Sequence, residues 1–301
     1  MVQGRITYSR GSRGLADCRE SQNERAVSRF GWSAPSGLAV VDDLWTALPA
    51  PDLADGWIMH TIGRKQARLH QVSVQQGARI SEFVEALFDE DSDRCQDMLA
   101  ETMDSCWDPQ RVVELLMEPA ARVIGENWCS DECDFLKVTI AVSRMQRLFR
   151  RLALEYPPAT LPDLSRCALL LPAPGEQHSF GLSVVDDAFR RAGWDVDCCG
   201  MGEELESMRL VGLNHYQVIG VSISVERLLP DLAELGRKLR ARSLNRSIIL
   251  IAGGSMVMDN PQGAIDAGFD LIAVDAASAV AMAETVAGSL NTDAERQDAA
   301  E

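Results

Sequence analysis

The sequence predicts an all-α module, a four-helix bundle cap, followed by an α/β domain built on a doubly wound five-stranded parallel sheet. Three observations predict it. From about Gln66 to Leu154 apolar residues recur at three- and four-residue spacing, as helices with one buried face require. At Pro157-Pro158 the composition shifts, and short apolar β-type runs then alternate with helical stretches. Several of those runs are continuously apolar, as parallel strands covered on both faces are.

The elements follow in order. Residues 1–65 hold Gly, Ser, Arg and Pro with little periodicity, and are expected to be a mostly disordered extension and linker. Residues 66–156 form the bundle. Ile80, Phe83, Val84 and Leu87 mark one face of the first helix, and Cys95, Met98, Leu99 and Met103 one face of the second. Asp108-Pro109 is a start signal for the third, with Asp as cap and Pro at the first helical position. That helix runs through VVELLMEPAARVIGENW and should kink at Pro119. The fourth is expected to begin near Ser130 and to turn Phe135, Val138, Ile140, Ala141, Met145, Leu148 and Phe149 inward. Residues 157–290 carry strands expected at 167–172, 194–199, 217–222, 247–252 and 270–274, with helices near 182–192, 203–213, 230–242, 261–267 and 276–290. The right-handed crossover rule makes this a flavodoxin-like, Rossmann-like sheet. Residues 291–301 are polar and expected to be a disordered tail.

Charge narrows the partners. Forty-five acidic residues against 29 basic ones leave a formal charge of −16, which argues against direct DNA binding, since a duplex needs clustered Lys and Arg. The extension is locally basic, at +3 over residues 1–40, and reads as a solvated tail. Between Glu82 and Asp108 ten acidic residues face only Arg94, which reads as a solvated helix face. No apolar run reaches membrane-spanning length, and the start lacks the apolar core of a secretory signal, so a cytoplasmic protein with reduced thiols is expected.

Ligands of a doubly wound sheet bind outside the carboxyl ends of its strands. Three features land there: Glu176, His178 and Gly181 after the first strand, Ser222 and Ser224 at the end of the third, and Gly253-Gly254 after the fourth. A neutral imidazole oriented by a carboxylate is a good donor to a metal ion, and small residues leave room for a bulky ligand. The order Glu-x-His-x-x-Gly, Ser-x-Ser, Gly-Gly resembles the cobalamin-binding domain of methionine synthase, the mutases and corrinoid carriers, whose pattern is Asp-x-His-x-x-Gly, Ser-x-Leu, Gly-Gly. The resemblance implies that His178 is the lower axial ligand of cobalt in cobalamin, its upper ligand left open. Gly181 would let the backbone approach the corrin, Ser222 would lie near the dimethylbenzimidazole tail, and Gly253 and Gly254 would give that tail room. Two departures stand out: Glu176 replaces Asp and brings the orienting carboxylate on a longer arm, and Ser224 replaces Leu and makes the tail pocket wetter.

MEPAARVIGENW in turn resembles the helical cap of such proteins, which implies that Trp128 sits over the upper face of the corrin. Adenosylcobalamin-type light-responsive repressors carry Glu-His where this chain has Val138-Thr139, and their helix-turn-helix has no counterpart in residues 1–65. The run after Trp128 is instead similar to the PpaA/AerR family, cobalamin-binding antirepressors of photosynthesis genes in purple bacteria, through Asp134, Phe135, Val138, Thr139, Ile140, Arg144 and Gln146. That resemblance implies a light- or redox-responsive transcriptional regulator, not an enzyme, acting on a PpsR/CrtJ-type repressor, with homo-oligomer formation left open. The alternative is a corrinoid carrier of a methyltransferase system.

The remaining candidates read as structural. His60, His70 and His215 lack a comparable context, and His215 should lie at the surface. Cys129 and Cys133 are expected four apart on one face at the start of the fourth helix, among acidic neighbours that blunt a thiol. Cys198 and Cys199 are expected to be packing residues, and a zinc site would need two more ligands.

Overall fold

A computed structural model describes residues 74–89, 92–130 and 133–298. The expected extension and linker over residues 1–65, with His60 and His70, lie outside the described residues. The bundle comprises α1 (Val74–Phe88), α2 (Ser92–Cys106), a composite α3, and α4 (Phe135–Glu155). Helix α3 starts with one α turn, Pro109–Val112, capped as expected by Asp108, whose carboxylate accepts the Gln110 N–H. It then widens into a π segment, Val113–Met117, before the α-helical stretch Glu118–Cys129. The Glu118 N–H bonds to Val113 O, five residues back. Pro119, with no N–H, opens the next stretch, so the expected kink is taken up as one wide turn.

Phe83, Leu87, Met98, Leu116, Met117, Ile124 and Met145 fill the bundle core. The inward faces expected of the first two helices are the buried ones. Arg94 lies between Glu82 and Glu101, and Arg79 also meets Glu101, so the acidic surface is partly cross-linked. Helix α4 departs from expectation in two ways. It begins at Phe135 rather than near Ser130, because Asp134 accepts the Lys137 N–H and caps it there, while Ser130 ends α3. Cys129 thus closes α3 while Cys133 stands ahead of the Asp134 cap of α4, so the two do not share a helix face. Second, Phe135 and Ile140 are exposed; periodicity tells which residues share a face but not how far a neighbour covers it.

The second module runs β1 (Asp163–Pro172), α5 (Phe180–Arg191), β2 (Trp194–Cys198), α6 (Glu204–Val211), β3 (Val218–Ser222), α7 (Leu229–Arg242), β4 (Ile249–Gly253), α8 (Ser255–Asp259), α9 (Pro261–Asp266), β5 (Leu271–Ala273) and α10 (Ala276–Asp298). The strands are all parallel in the order β2-β1-β3-β4-β5, the flavodoxin-like order expected. Alternate residues serve opposite faces. Leu169, Leu171, Ile219, Val221 and Leu250 pack against α7, α8 and α9, whereas Ala168, Leu170, Val218 and Ile251 pack against α5 and α10. Val184 and Ala188 of α5 and Ala276 of α10 also join the bundle core, so the cap rests on that second layer.

Strand β1 begins four residues before the expected 167, and α8 was not foreseen. Helix α10 continues through residues 291–298, where a disordered tail was expected. Ala294, Glu295, Arg296 and Gln297 are strong helix formers, and they prolong a helix that already exists. Among the described residues no helix is long and apolar enough to cross a membrane.

Candidate functional site

The strand order reverses between β1 and β3, and the carboxyl ends of β1, β3 and β4 carry the candidate residues of the sheet. Pro172, Ser222 and Gly253 stand side by side in register at that edge. Past Pro172 the chain makes a tight turn over Ala173-Pro174-Gly175-Glu176, closed by the Glu176 N–H on Ala173 O at 3.0 Å. Proline at the second position and glycine with φ +79° at the third are what a type II turn requires. The turn drives the Glu176 side chain inward, where it is wholly buried.

Glu176 organises the loop. Its Oε1 accepts the N–H groups of Gln177 at 2.8 Å and His178 at 2.9 Å, and lies 2.6 Å from Nδ1 of the His178 ring. Its Oε2 accepts the Ser224 N–H at 2.6 Å, which ties the β1 loop to the β3 loop. Burial pushes this carboxyl up, but the donated bonds from His178, Ser224 and Gln177 outweigh it and hold the group below its ordinary range. A carboxylate only accepts, so Nδ1 carries a proton, and in the neutral ring it is then Nε2 that offers the lone pair. The His178 side chain is 67% exposed. The result is a ring anchored at one nitrogen and available at the other, the form in which imidazole binds metals.

The glycines divide by their reasons. Gly254 has φ +107°, and a Cβ there would lie 2.2 Å from Ile223 O, so the backbone itself demands glycine. At Gly253 a Cβ would make an ordinary contact with Ala273 O at 3.5 Å. At Gly181, in the first turn of α5, a Cβ would meet nothing within 4 Å. Space is open there, as the approach of a flat macrocycle needs. Ser224 enters through its backbone: its N–H holds Glu176, and its carbonyl accepts the Ser255 hydroxyl at 3.1 Å.

Trp128, on the last turn of α3, is 45% exposed, so it is not a core residue. Its ring meets Phe135 edge-on at 6.0 Å. With Leu136 and Ile140 also exposed, the end of α3 and the start of α4 leave apolar surface uncovered. Sequence reasoning missed the direct link between the modules. Gln146 Nε2 on α4 donates to Ser179 Oγ at 3.2 Å, and Phe149 packs edge-on against Phe180 at 5.8 Å. In the sequence Gln146 stands out only as one residue of the resemblance. His215 is exposed, as expected, and among the described residues no group of three or more His, Cys, Asp or Glu could hold a metal ion.

An oriented imidazole with a free Nε2, open space over Gly181 and an uncovered aromatic pair on the bundle together fit a cobalt corrinoid. A B12 binding domain matches residues 166–283, and a second B12 binding domain matches residues 79–153. The monomethylamine corrinoid protein of Methanosarcina barkeri has the same fold, with a TM-score of 0.59 at 14% identity over 70% of this chain and 99% of that one. The class is thereby defined: a cobalamin-binding protein with a helical module ahead of its Rossmann-like domain. An uncharacterized 20.5 kDa protein in the bchF-crtJ intergenic region of Rhodobacter capsulatus is 30% identical over 161 residues, 52% of this chain and 81% of that protein. The chain belongs to the family of that protein, in agreement with its PpaA/AerR resemblance.

Proposed function

We propose that the protein is a cobalamin-dependent, non-enzymatic regulator that relieves a PpsR/CrtJ-type repressor of photosynthesis genes. The observation that carries the reading is the anchored His178 on the loop that the middle of α4 touches, with the Trp128–Phe135 pair at the start of that helix. The position of the relative's gene beside crtJ supports the choice of partner. When bound, cobalamin would supply a cobalt ion whose chemistry responds to light or redox state. His178 would hold the cobalt through Nε2, with Glu176 keeping the proton on Nδ1. Gly181 would admit the macrocycle to the backbone, and Ser222, Gly253 and Gly254 would leave room for the nucleotide tail. Trp128 would cover the cofactor from the bundle side. Such a switch requires the two ligand states to favour two arrangements of the cap.

The test uses the full chain with hydroxocobalamin and adenosylcobalamin, in darkness and after illumination. Its absorption is recorded, and loaded protein is titrated onto a repressor–promoter complex. The expected result is a light-dependent spectral change and release of the repressor, with His178→Ala losing both colour and release. A repressor that stays on its promoter at saturating loaded protein overturns the regulatory role. A corrinoid carrier is the second reading, favoured by the fold shared with the M. barkeri protein, and it predicts methyl transfer from methylcobalamin-loaded protein to a methyltransferase's acceptor.

A further inference from the structure

His178 sits between two anchors of different origin. On one side Glu176 is fixed to the sheet module through the Ser224 N–H. On the other, Ser179 is fixed to the bundle through Gln146, and the next residue, Phe180, packs on Phe149. Gln146 and Phe149 are three apart on α4 and grip the entrance to α5, whose Val184 and Ala188 lie in the bundle core. Followed back from Gln146 at helical spacing, the same face of α4 carries Val142, Thr139 and Phe135, and Phe135 meets Trp128. Eleven residues of helix span about 16 Å. One helix thus has its middle on the histidine loop and its start on the aromatic pair of the cap.

We infer that Gln146 is a positioning residue that couples the seat of His178 to the cap, so that the size of the upper ligand is read at the start and the middle of α4 together. The inference rests on the seat proposed above, which His178→Ala tests separately through loss of colour. It assigns Gln146 no contact with the cofactor. Its bond to Ser179 makes the His178 loop and α4 move as one body. Without that bond the loop and the cap settle independently, and discrimination between a bulky and a small upper ligand falls.

The experiment measures dissociation constants for adenosylcobalamin and hydroxocobalamin, and hydrogen exchange of the 176–180 amides in the protein without cobalamin. Gln146→Leu and Ser179→Ala should each move the ratio of the two constants toward one by about three- to tenfold, the weight of a single hydrogen bond. The double variant should change it no further, as coupled partners do. Gln146→Glu, which can accept from the Ser179 hydroxyl, should keep the ratio within about twofold of wild type. Exchange at 176–180 should quicken in Gln146→Leu and not in Gln146→Glu. The inference is overturned by equal loss of affinity for both cobalamins, by unchanged affinities, by additive single effects, or by a wild-type ratio near one. Should Gln146→Leu fail to fold, Ser179→Ala, which removes only the accepting hydroxyl, decides the question.

Discussion

The carboxylate of Glu176 is wholly buried while the imidazole it holds, that of His178, lies 2.6 Å away and two-thirds exposed. The buried partner accepts four hydrogen bonds and the exposed one keeps a nitrogen free, so an inflexible acid aims a ring that faces outward. Glu176→Gln brings an amide N–H₂ against one of these donors, either the Ser224 N–H or the cluster on Oε1. The expected loss is about 1–3 kcal/mol of unfolding free energy, read from urea denaturation. Cobalamin affinity should fall by about 10- to 100-fold, as when a metal-bound histidine loses its orienting carboxylate. Unchanged affinity would mean that the ring orients itself.

The same carboxyl gives the fold an acid limit. Its pKa lies below the ordinary 4.5 because its hydrogen-bond donors outweigh burial, so the unfolded chain takes up the proton first. Its contribution to stability is therefore complete above 4.5 and is lost as the pH falls through the lower folded value. Urea midpoints measured downward from pH 6 should fall more steeply for wild type than for Glu176→Gln. Parallel curves would remove Glu176 as a source of acid sensitivity.

Two glycine substitutions should separate stability from binding. Gly181→Ala places a methyl in open space within a helical turn, and should raise stability by about 0.4–1 kcal/mol by restricting the unfolded chain. It should nevertheless weaken cobalamin binding, because the methyl occupies the space assigned to the corrin. Gly254→Ala forces a Cβ to within 2.2 Å of a carbonyl oxygen at φ +107°, and should cost about 3 kcal/mol or more. If Gly181→Ala binds cobalamin as wild type does, the corrin does not approach that turn.

Much of this was legible in the residues, for reasons that particular positions make plain. Continuous apolar runs such as Leu169–Leu171, short and bounded by turn residues, fit strands covered on both sides, and they pointed to the layered sheet. The spacing of Glu176 and His178 after a strand pointed to the candidate site, because the carboxyl edge is where this fold leaves space. Three things could not be read. The link between Gln146 and Ser179 joins residues 33 apart in the chain, and nothing local to either marks it. Ser224 acts through its N–H, which every residue but proline possesses, so its identity carried no signal. Phe135 and Ile140 looked like core because periodicity reports a shared face and is silent on what covers it.

Trp128 should prove dispensable for folding. It is nearly half exposed and its aromatic partner, Phe135, is 70% exposed, so the edge contact is worth about 0.5–1.5 kcal/mol. Trp128→Ala should shift the urea midpoint by no more than that, while changing the rate at which light alters the spectrum of bound adenosylcobalamin. An unaltered photolysis rate would remove Trp128 from the upper face.

The thiols offer a last test, one that needs no cofactor. Cys199 is buried at the end of β2, and burial, reinforced by Glu203, Glu206 and Asp197, pushes its thiol up to about 11. At pH 8 only on the order of one molecule in a thousand then carries the reactive thiolate. Cys129 is exposed at the end of α3. In a DTNB assay on the folded protein, Cys129→Ser should remove amplitude from the fast phase and Cys199→Ser should leave that phase intact. The pKa of Cys199 is raised by folding, so its contribution to stability is present below the ordinary value of 9.0 and is lost as the pH rises through about 11. Alkaline unfolding should accordingly be shallower in Cys199→Ser. Rapid labelling of Cys199 at pH 8 would show that the end of β2 opens in solution, and the packing role assigned to that thiol would fall.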